Sequence, residues 1–395
     1  MPAERVRRPP VLRHLDHAAA AGTAVGARER RHRDQRLLSA RVEQLARLLV
    51  ERSLGVQPGW QVAISTTPLA RPLVAALAAE LGRHGAYPIV RLGTVDLDVF
   101  PFATEWAEHA PTEALEQLPS AMTRSTEELD ARVIVFAPEA IAAGSSLAPD
   151  RRMALRRAGG VMRDVVAGKP WVSCPFPTEA LAGDAGISLA EYTDVFFDAC
   201  LRDWDAEGER MRRFAERFEH ADEVRIVAPG TDVRMSVAAR TFVVDDAHVN
   251  MPGGEFFTSP VEGTAEGVIE FSEYATALHG HRCEGVRLRF ERGAVVEASA
   301  RVGEEFLLAA LETDEGARNL GELGIGCNEG IPKHVRQQWF DEKVAGTCHL
   351  ALGQGFEECG GSNLSALHWD LVKDLAAGRI ELDGETVQAH GRWLI

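Results

Sequence analysis

The spacing of apolar residues predicts alternating helices and strands in the first half of the chain. Apolar residues recur at helical spacing in its opening segment, at Leu38, Val42, Leu45, Leu48 and Leu49. Short apolar runs predict strands at Gln61–Ser65, Tyr87–Leu92, Val133–Phe136 and Trp171–Cys174. Amphipathic segments predict helices at Leu69–His84, at Asp150–Ala167 and, as one long charged helix, at Leu189–His220. Because strands that alternate with helices form a covered parallel sheet, we expect an α/β N-terminal domain over residues 37–220.

Short strands replace this pattern after residue 220. Strands are predicted at Val224–Val227, Val233–Ala238 and Thr241–Val244. A hairpin is predicted where Val286–Phe290 and Val295–Ala300 flank the turn sequence Glu291-Arg292-Gly293. The glycine-rich run 324–330 is interpreted as a plain turn. We therefore expect a strand-rich α+β C-terminal domain over residues 221–395.

The composition is that of a globular protein. The chain has 395 residues, and domains of roughly 100–200 residues make two domains the default expectation. With 43 Lys+Arg against 59 Asp+Glu, the net charge is −16, which argues against a general nucleic-acid binder. No apolar run reaches the roughly 18 residues of a membrane span, so we expect no membrane partner.

Two further features concern the tail and the cysteines. Residues 1–36 hold nine arginines against four acidic residues, and we interpret them as a basic flexible tail.

The six cysteines are scattered without a Cys-x-x-Cys pair. In a chain of this length, that scatter indicates reduced thiols and a cytoplasmic protein.

Candidate catalytic and metal-binding residues are densest near the C-terminus, where His368 and Asp370 stand two residues apart. In a strand, positions i and i+2 point to the same face, so Trp369 between them would point to the other. A histidine and an aspartate aimed at one point form half of a metal site. The same spacing also fits an ordinary polar pair.

Other acids and a histidine extend this set. His349 lies in the strand-like run 347–352, Glu255 follows two glycines, and Glu322 follows Gly321. Each alone fits a solvated acid or a histidine bonded to a backbone carbonyl. Together the candidates supply four carboxylates and two imidazoles: Glu255, Glu322, Glu342, His349, His368 and Asp370. Such a set is sufficient for two divalent cations, and nitrogen and oxygen donors suit Zn, Co or Mn.

Several blocks of the sequence resemble one family when taken in order. The blocks are Gly230-Thr231-Asp232, the run 250–262, Leu320-Gly321-Glu322, Phe340-Asp341-Glu342, the run 346–353 and Ser365-x-x-His368-x-Asp370. With Pro177-Thr178-Glu179-Ala180 in the first half, they resemble the M29 metallopeptidases, the aminopeptidase T-like leucyl aminopeptidases. The resemblance covers about residues 37–395 and leaves the tail outside.

The resemblance implies a two-domain homodimer with a dinuclear metal site in the C-terminal domain. The family's ligands would fall on the same six residues, Glu255, Glu322, Glu342, His349, His368 and Asp370. The implied reaction removes the N-terminal residue of a short peptide. Glu322 would take the proton of the attacking water and pass it to the leaving amine.

One position departs from the family. Seven residues after the histidine of the Gly-Thr-x-His block, where the family has a tyrosine thought to stabilise the tetrahedral intermediate, this chain has Phe356. A phenyl ring cannot donate a hydrogen bond, and losing one such donor costs on the order of 10²–10³ in rate. We therefore expect another donor, slow turnover or a different reaction.

Two alternatives follow. The scaffold also resembles 2,5-dihydroxypyridine dioxygenases, in which His349, His368 and Asp370 would hold a single Fe(II). Retention of the three further carboxylates favours two metals over one. The other alternative is a non-enzymatic dimer that binds peptides without cutting them, and Phe356 is the feature that favours it.

Overall fold

The structure is a computed structural model, and it describes most of the chain. The described residues are 36–93, 103–141, 147–148, single positions or pairs between 151 and 166, 168–278 and 281–395. The basic tail lies outside them except for its last residue, Arg36, and the helix predicted at Asp150–Ala167 lies largely outside them. None of the helices in the described segments is long and apolar enough to cross a membrane.

A parallel sheet organises the N-terminal half. Its strands are β1 (Gln61–Thr66), β2 (Tyr87–Leu92), β3 (Ala131–Phe136) and β4 (Trp171–Pro175), in the order β2-β1-β3-β4. The helices of this half are α1 (36–47, continued as a π-helix at Leu48–Ser53), α2 (Arg71–Arg83), α3 (Ala103–His109), α4 (Thr112–Leu115), α5 (Ser120–Glu127) and α6 (Glu179–Ala185). Helix α2 buries Leu73, Leu77 and Leu81, which recur at the four-residue spacing of one helix face. The predicted α/β class of this half is confirmed.

The prediction of one long helix at Leu189–His220 was wrong. Two helices occupy the segment, α7 (Leu189–Cys200) and α8 (Trp204–Glu219). Leu201 leaves the helical conformation at ψ 61°, and the Asp203 side chain accepts a hydrogen bond from the Ala206 amide at 3.2 Å. An aspartate at this position caps the start of a new helix, so the charged pattern continues while the backbone turns.

Antiparallel strands dominate the C-terminal half. Strands β5–β9 are Glu223–Ala228, Thr231–Ser236, Val243–Asp245, Glu255–Thr258 and Glu266–Phe271. Strands β10–β14 are Thr276–Leu278, His281–Cys283, Val286–Glu291, Ala294–Ser299 and Leu320–Gly326. Strands β15–β19 are Thr347–Gly353, His368–Asp374, Arg379–Leu382, Glu385–Ala389 and Arg392–Trp393. The helices are α9 (Glu304–Ala310) and α10 (Gln338–Asp341). The expected strand-rich class and the β12–β13 hairpin are confirmed.

These strands form two larger sheets and the short β10–β11 pair. One sheet has the order β13-β12-β9-β6-β5-β17-β18-β19, and the other has the order β16-β15-β14-β8-β7. The second sheet has two unlike faces, because side chains alternate along each strand. Its apolar face contributes to the main core with Phe256, Leu323, Ile325, Cys348, Leu350, Leu352, Trp369 and Leu371. Its other face carries the acidic and histidine candidates except Glu342, which follows α10.

A second core joins the two halves of the chain. Buried side chains from α1, the parallel sheet and α7 cluster with Met251, Ile331 and Phe340 of the C-terminal half. Phe340 lies in α10, and its ring meets that of Tyr192 edge-on, with 6.1 Å between centroids. The short helix that leads to Glu342 is therefore held against the N-terminal half.

Trp369 anchors the apolar face beneath the candidate site, and its truncation tests that support. It is fully buried, and its Nε1 donates to Thr276 Oγ1 at 2.9 Å. We expect Trp369→Ala to lower the free energy of unfolding by about 3–5 kcal/mol, read from the urea midpoint by circular dichroism. Leu364→Ala, at a side chain that is 79% exposed, should change it by less than about 0.5 kcal/mol. Equal shifts in the two variants would contradict this role for Trp369.

Candidate metal centre

Strand register gathers the candidate residues on one face of the five-stranded sheet. Glu255 on β8 pairs with Gly326 on β14, and His349 on β15 pairs with Gly324 on β14. Asp370 on β16 pairs with Ala351, two residues beyond His349. Residues that lie opposite or two apart share a face, so four neighbouring strands aim polar side chains at one point.

Two imidazoles stand among three carboxylates there. His349 Nε2 lies 3.4 Å from Glu322 Oε1, 3.5 Å from Glu255 Oε2 and 4.0 Å from Asp370 Oδ1. His368 Nε2 lies 3.2 Å from Glu322 Oε2 and 3.6 Å from Asp370 Oδ2. Glu322 thus offers one oxygen to each imidazole and occupies the middle of the group.

Several buried atoms of these side chains have no hydrogen-bond partner. His349 is 1% exposed, and the three carboxylates are each 6% exposed or less. Across the described residues, Glu255 Oε2, His349 Nδ1 and Asp370 Oδ1 have no hydrogen-bond partner. Ligand atoms of Glu322, His368 and Asp370 also lie within 4.8 Å of one another. Buried oxygen and nitrogen atoms without hydrogen-bond partners are compatible with a divalent cation as their binding partner.

The charges within the group perturb one another strongly. Burial alone would raise the pKa of Glu322, but the contacts with His349 and His368 outweigh it and lower the pKa to about 2. Burial would lower the pKa of both histidines, but the carboxylates raise each to about 10. The carboxylates therefore favour positive charge at the imidazoles, at the place where a metal cation would supply it.

Glu342 joins the group through a buried lysine. Lys343 Nζ has no exposed surface, lies 2.7 Å from Glu255 Oε1 and forms a short ion pair with Glu342 Oε1. It also lies 3.5 Å from Asp245 Oδ2 at the end of β7. Burial acts to lower the pKa of Lys343, but the carboxylates raise it well above its usual range. Burial raises the pKa of Glu342 to about 8, although Lys343 opposes that shift.

Neighbouring groups orient the ligand atoms. Gln338 Nε2, from α10, donates to Asp370 Oδ2. His368 Nδ1 lies 3.1 Å from the carbonyl oxygen of Gln354, which leaves Nε2 facing the carboxylates. Partners of this kind fix the ring orientation and the tautomer of a metal-binding histidine.

Gly324 makes room for His349, and the reading of its segment as a turn was wrong for the first part of the run. Residues 324–326 belong to strand β14, and the turn follows them. A Cβ atom at residue 324 would stand 2.0 Å from His349 Cε1. The glycine therefore marks the place where the imidazole crosses the neighbouring strand, which is a packing requirement rather than a turn.

Phe356 lies beside the group. Its ring centroid is 5.2 Å from that of His368, at an interplanar angle of 61°, and 5.2 Å from that of Phe257. Its backbone amide donates to Ser259 Oγ at 2.8 Å. The position singled out as a departure from the family is therefore within reach of the partly exposed histidine.

The structure thus brings the six predicted ligand candidates into one neighbourhood. Sequence reasoning missed Lys343 and Gln338, which contact them directly, and Asp245, which contacts Lys343. Lys343 follows two acids in the run Asp341-Glu342-Lys343, which has the appearance of a solvated loop. For strand β14, the alternation of Gly324 and Gly326 was an available signal, because it is compatible with a strand crossed by a bulky side chain.

Comparisons with known proteins identify the family of the chain. The model of the thermophilic metalloprotease (M29) family matches residues 38–393. Aminopeptidase T of Thermus thermophilus is 28% identical over 418 aligned residues, covering 90% of this chain and 98% of that protein. The solved structure of wild-type AmpT from Thermus thermophilus has a TM-score of 0.76 at 26% identity, covering 90% of this chain and 99% of that one.

A more distant likeness concerns the fold alone. The structure of 2,5-dihydroxypyridine dioxygenase from Pseudomonas putida has a TM-score of 0.57 at 16% identity, covering 90% of this chain and 97% of that one. The family match, in contrast, spans nearly the whole described chain and confirms the resemblance found in the sequence. The chain belongs to the M29 family of thermophilic metalloproteases, which makes it a metal-dependent hydrolase.

Proposed function

We propose that this hydrolase is an aminopeptidase that removes the N-terminal residue of short peptides at a dinuclear metal centre. The proposed ligands are Glu255, Glu322, Glu342, His349, His368 and Asp370. The observation that carries the proposal is the buried group of carboxylates and imidazoles with unpartnered Glu255 Oε2 and Asp370 Oδ1. The aminopeptidase name of the Thermus relative supports the choice of reaction.

The protein's own groups have separable tasks in this reaction. Two bound divalent ions, of Zn, Co or Mn, would acidify a water molecule and polarise the scissile carbonyl. Glu322 occupies the middle of the group, so one of its carboxylate oxygens would accept the water's proton and pass it to the leaving amine. His368 is the partly exposed member of the group, so we place the peptide's approach on its side.

The extra carboxylates favour two metals over a mononuclear iron site. A site of His349, His368 and Asp370 alone would leave Glu255 and Glu322 without a role. Each of these acids is buried with a carboxylate oxygen within 3.5 Å of an imidazole nitrogen. Burying a carboxylate is costly unless a cation balances it; Lys343 pairs with Glu255 but not with Glu322, and a second divalent ion would complete the balance.

Three further parts of the proposal concern the setting of the site. We propose a catalytic C-terminal domain over residues 221–395, which contains all six ligands, beside an N-terminal domain over residues 37–220. We propose a homodimer, as the resemblance implies. We propose the cytoplasm as the compartment, and the six cysteines, all free and buried, suit its reducing conditions.

Peptide hydrolysis with and without metal tests the reaction. We expect mass spectrometry to show loss of the N-terminal residue from short peptides with a free amine, and no cleavage of their N-acetylated forms. Activity should disappear after dialysis against a chelator and return with Zn, Co or Mn. Glu322→Gln should lose activity, whereas Glu266→Gln, on strand β9 of the other sheet, should keep it. Cleavage that persists without metal would refute the proposal.

Phe356→Tyr tests whether the missing hydroxyl limits the rate. If a donor at this position stabilises the developing oxyanion, the substitution should raise kcat by about 10²-fold, with a smaller change in KM. Phe356→Leu removes the ring without adding a donor, and it separates the hydroxyl from the packing against His368. A rate unchanged in Phe356→Tyr would mean that another group already supplies the hydrogen bond.

A further inference from the structure

Lys343 contacts one side of the proposed centre and not the middle of it. Its ion-pair partners in the described structure are Glu255 at 2.7 Å, Glu342 and, at 3.5 Å, Asp245. Glu322, His368 and Asp370 gather on the other side, with ligand atoms within 4.8 Å of one another. The ammonium group of Lys343 therefore pairs with only two of the proposed ligands, Glu255 and Glu342.

The ammonium group occupies one oxygen of each carboxylate on its side. Glu255 Oε1 and Glu342 Oε1 both face Lys343 Nζ. Glu255 Oε2 remains without a partner in the described part of the chain and lies 3.5 Å from His349 Nε2. A metal cation that binds on this side meets carboxylates that already pair with the ammonium group. The positive charge of Lys343 also repels it.

A chain of contacts holds the lysine in place. Asp245 Oδ2 faces Lys343 and also accepts from Asn250 Nδ2 at 3.3 Å. Ser173 Oγ, on strand β4 of the parallel sheet, lies 2.9 Å from Asn250 Oδ1. The lysine side chain has no exposed surface through which to leave. It therefore stays beside Glu255 and Glu342 when metal binds.

We propose that Lys343 is a resident cation that makes the two metal positions unequal, by weakening the ion held on the Glu255–Glu342 side. The ion beside Glu322, His368 and Asp370 then binds first and tightly, and the second ion binds later and more weakly. This inference rests on the dinuclear centre of the proposed function. Lys343 acts through the carboxylates and does not touch substrate, so it is a positioning residue.

Stepwise metal binding tests the proposal. The full-length protein is stripped of metal and titrated with Co(II) at fixed pH, by calorimetry and by visible absorption. We expect Lys343→Met to tighten the second binding step at least tenfold and to change the first by less than threefold. Lys343→Gln keeps a hydrogen-bond donor toward Glu255 without the charge, and it should give the same result even if the methionine variant folds poorly.

Lys373 provides a matched control. It is also fully buried and lies on strand β16, but it points away from the site and pairs with Glu273 at 2.7 Å. Lys373→Met should lose stability without changing either Co(II) binding step. A merely structural role for Lys343 would weaken both steps, which is the opposite of the expected change.

The outcomes separate this inference from the function on which it rests. Two equivalents in every variant, with the second step unchanged or weakened in Lys343→Met and Lys343→Gln, would overturn the role of Lys343 and leave the dinuclear centre intact. A single equivalent in wild type and in both variants would overturn the dinuclear centre, and the inference with it. A single equivalent in wild type but two in the variants would support the effect of Lys343 and overturn the dinuclear centre in the wild-type protein.

Discussion

Five buried carboxylates lie close together, four on one face of a sheet and the fifth, Glu342, on the segment after α10, and their mutual repulsion is the constraint to which the surrounding structure responds. They are Asp245, Glu255, Glu322, Glu342 and Asp370. Like charges at this density destabilise a fold unless cations lie among them. The chain supplies three cationic groups, Lys343 and two imidazoles whose pKa values are raised to about 10. In the proposed metal centre, divalent ions would replace the imidazolium protons and balance the remaining charge, which would couple metal binding to the fold of this face.

The rest of the chain supports that face from two directions. Below it, the apolar side of the same sheet joins the main core, with Trp369 between His368 and Asp370. Beside it, the parallel sheet of the N-terminal half reaches the site through Ser173, and the second core holds Phe340 ahead of Glu342. The alternation of side chains along the strands therefore places apolar residues in the core and the candidate site residues on the opposite face.

The parts of the fold and of the candidate site that could be predicted from the sequence are those where a sequence pattern is compatible with a single structure. The parallel strands follow from short apolar runs, and the shared direction of His368 and Asp370 follows from their spacing of two. Strand β14 was missed because Gly324 and Gly326 have the composition of a turn, while the space they leave for His349 is a tertiary requirement. Lys343 carried no local signal, because its burial depends on three acids from strands β7 and β8 and the segment after α10.

The proposed reaction requires two divalent ions at this face. The most direct measurement is elemental analysis of protein purified without added metal or chelator, with metal content expressed per protomer. A dinuclear centre predicts about two equivalents of Zn, Co or Mn, in keeping with a ligand set sufficient for a dinuclear hydrolase. One equivalent of iron would contradict it in favour of the dioxygenase-like chemistry. No bound metal, with none taken up on titration, would contradict any metal-dependent reaction at this face.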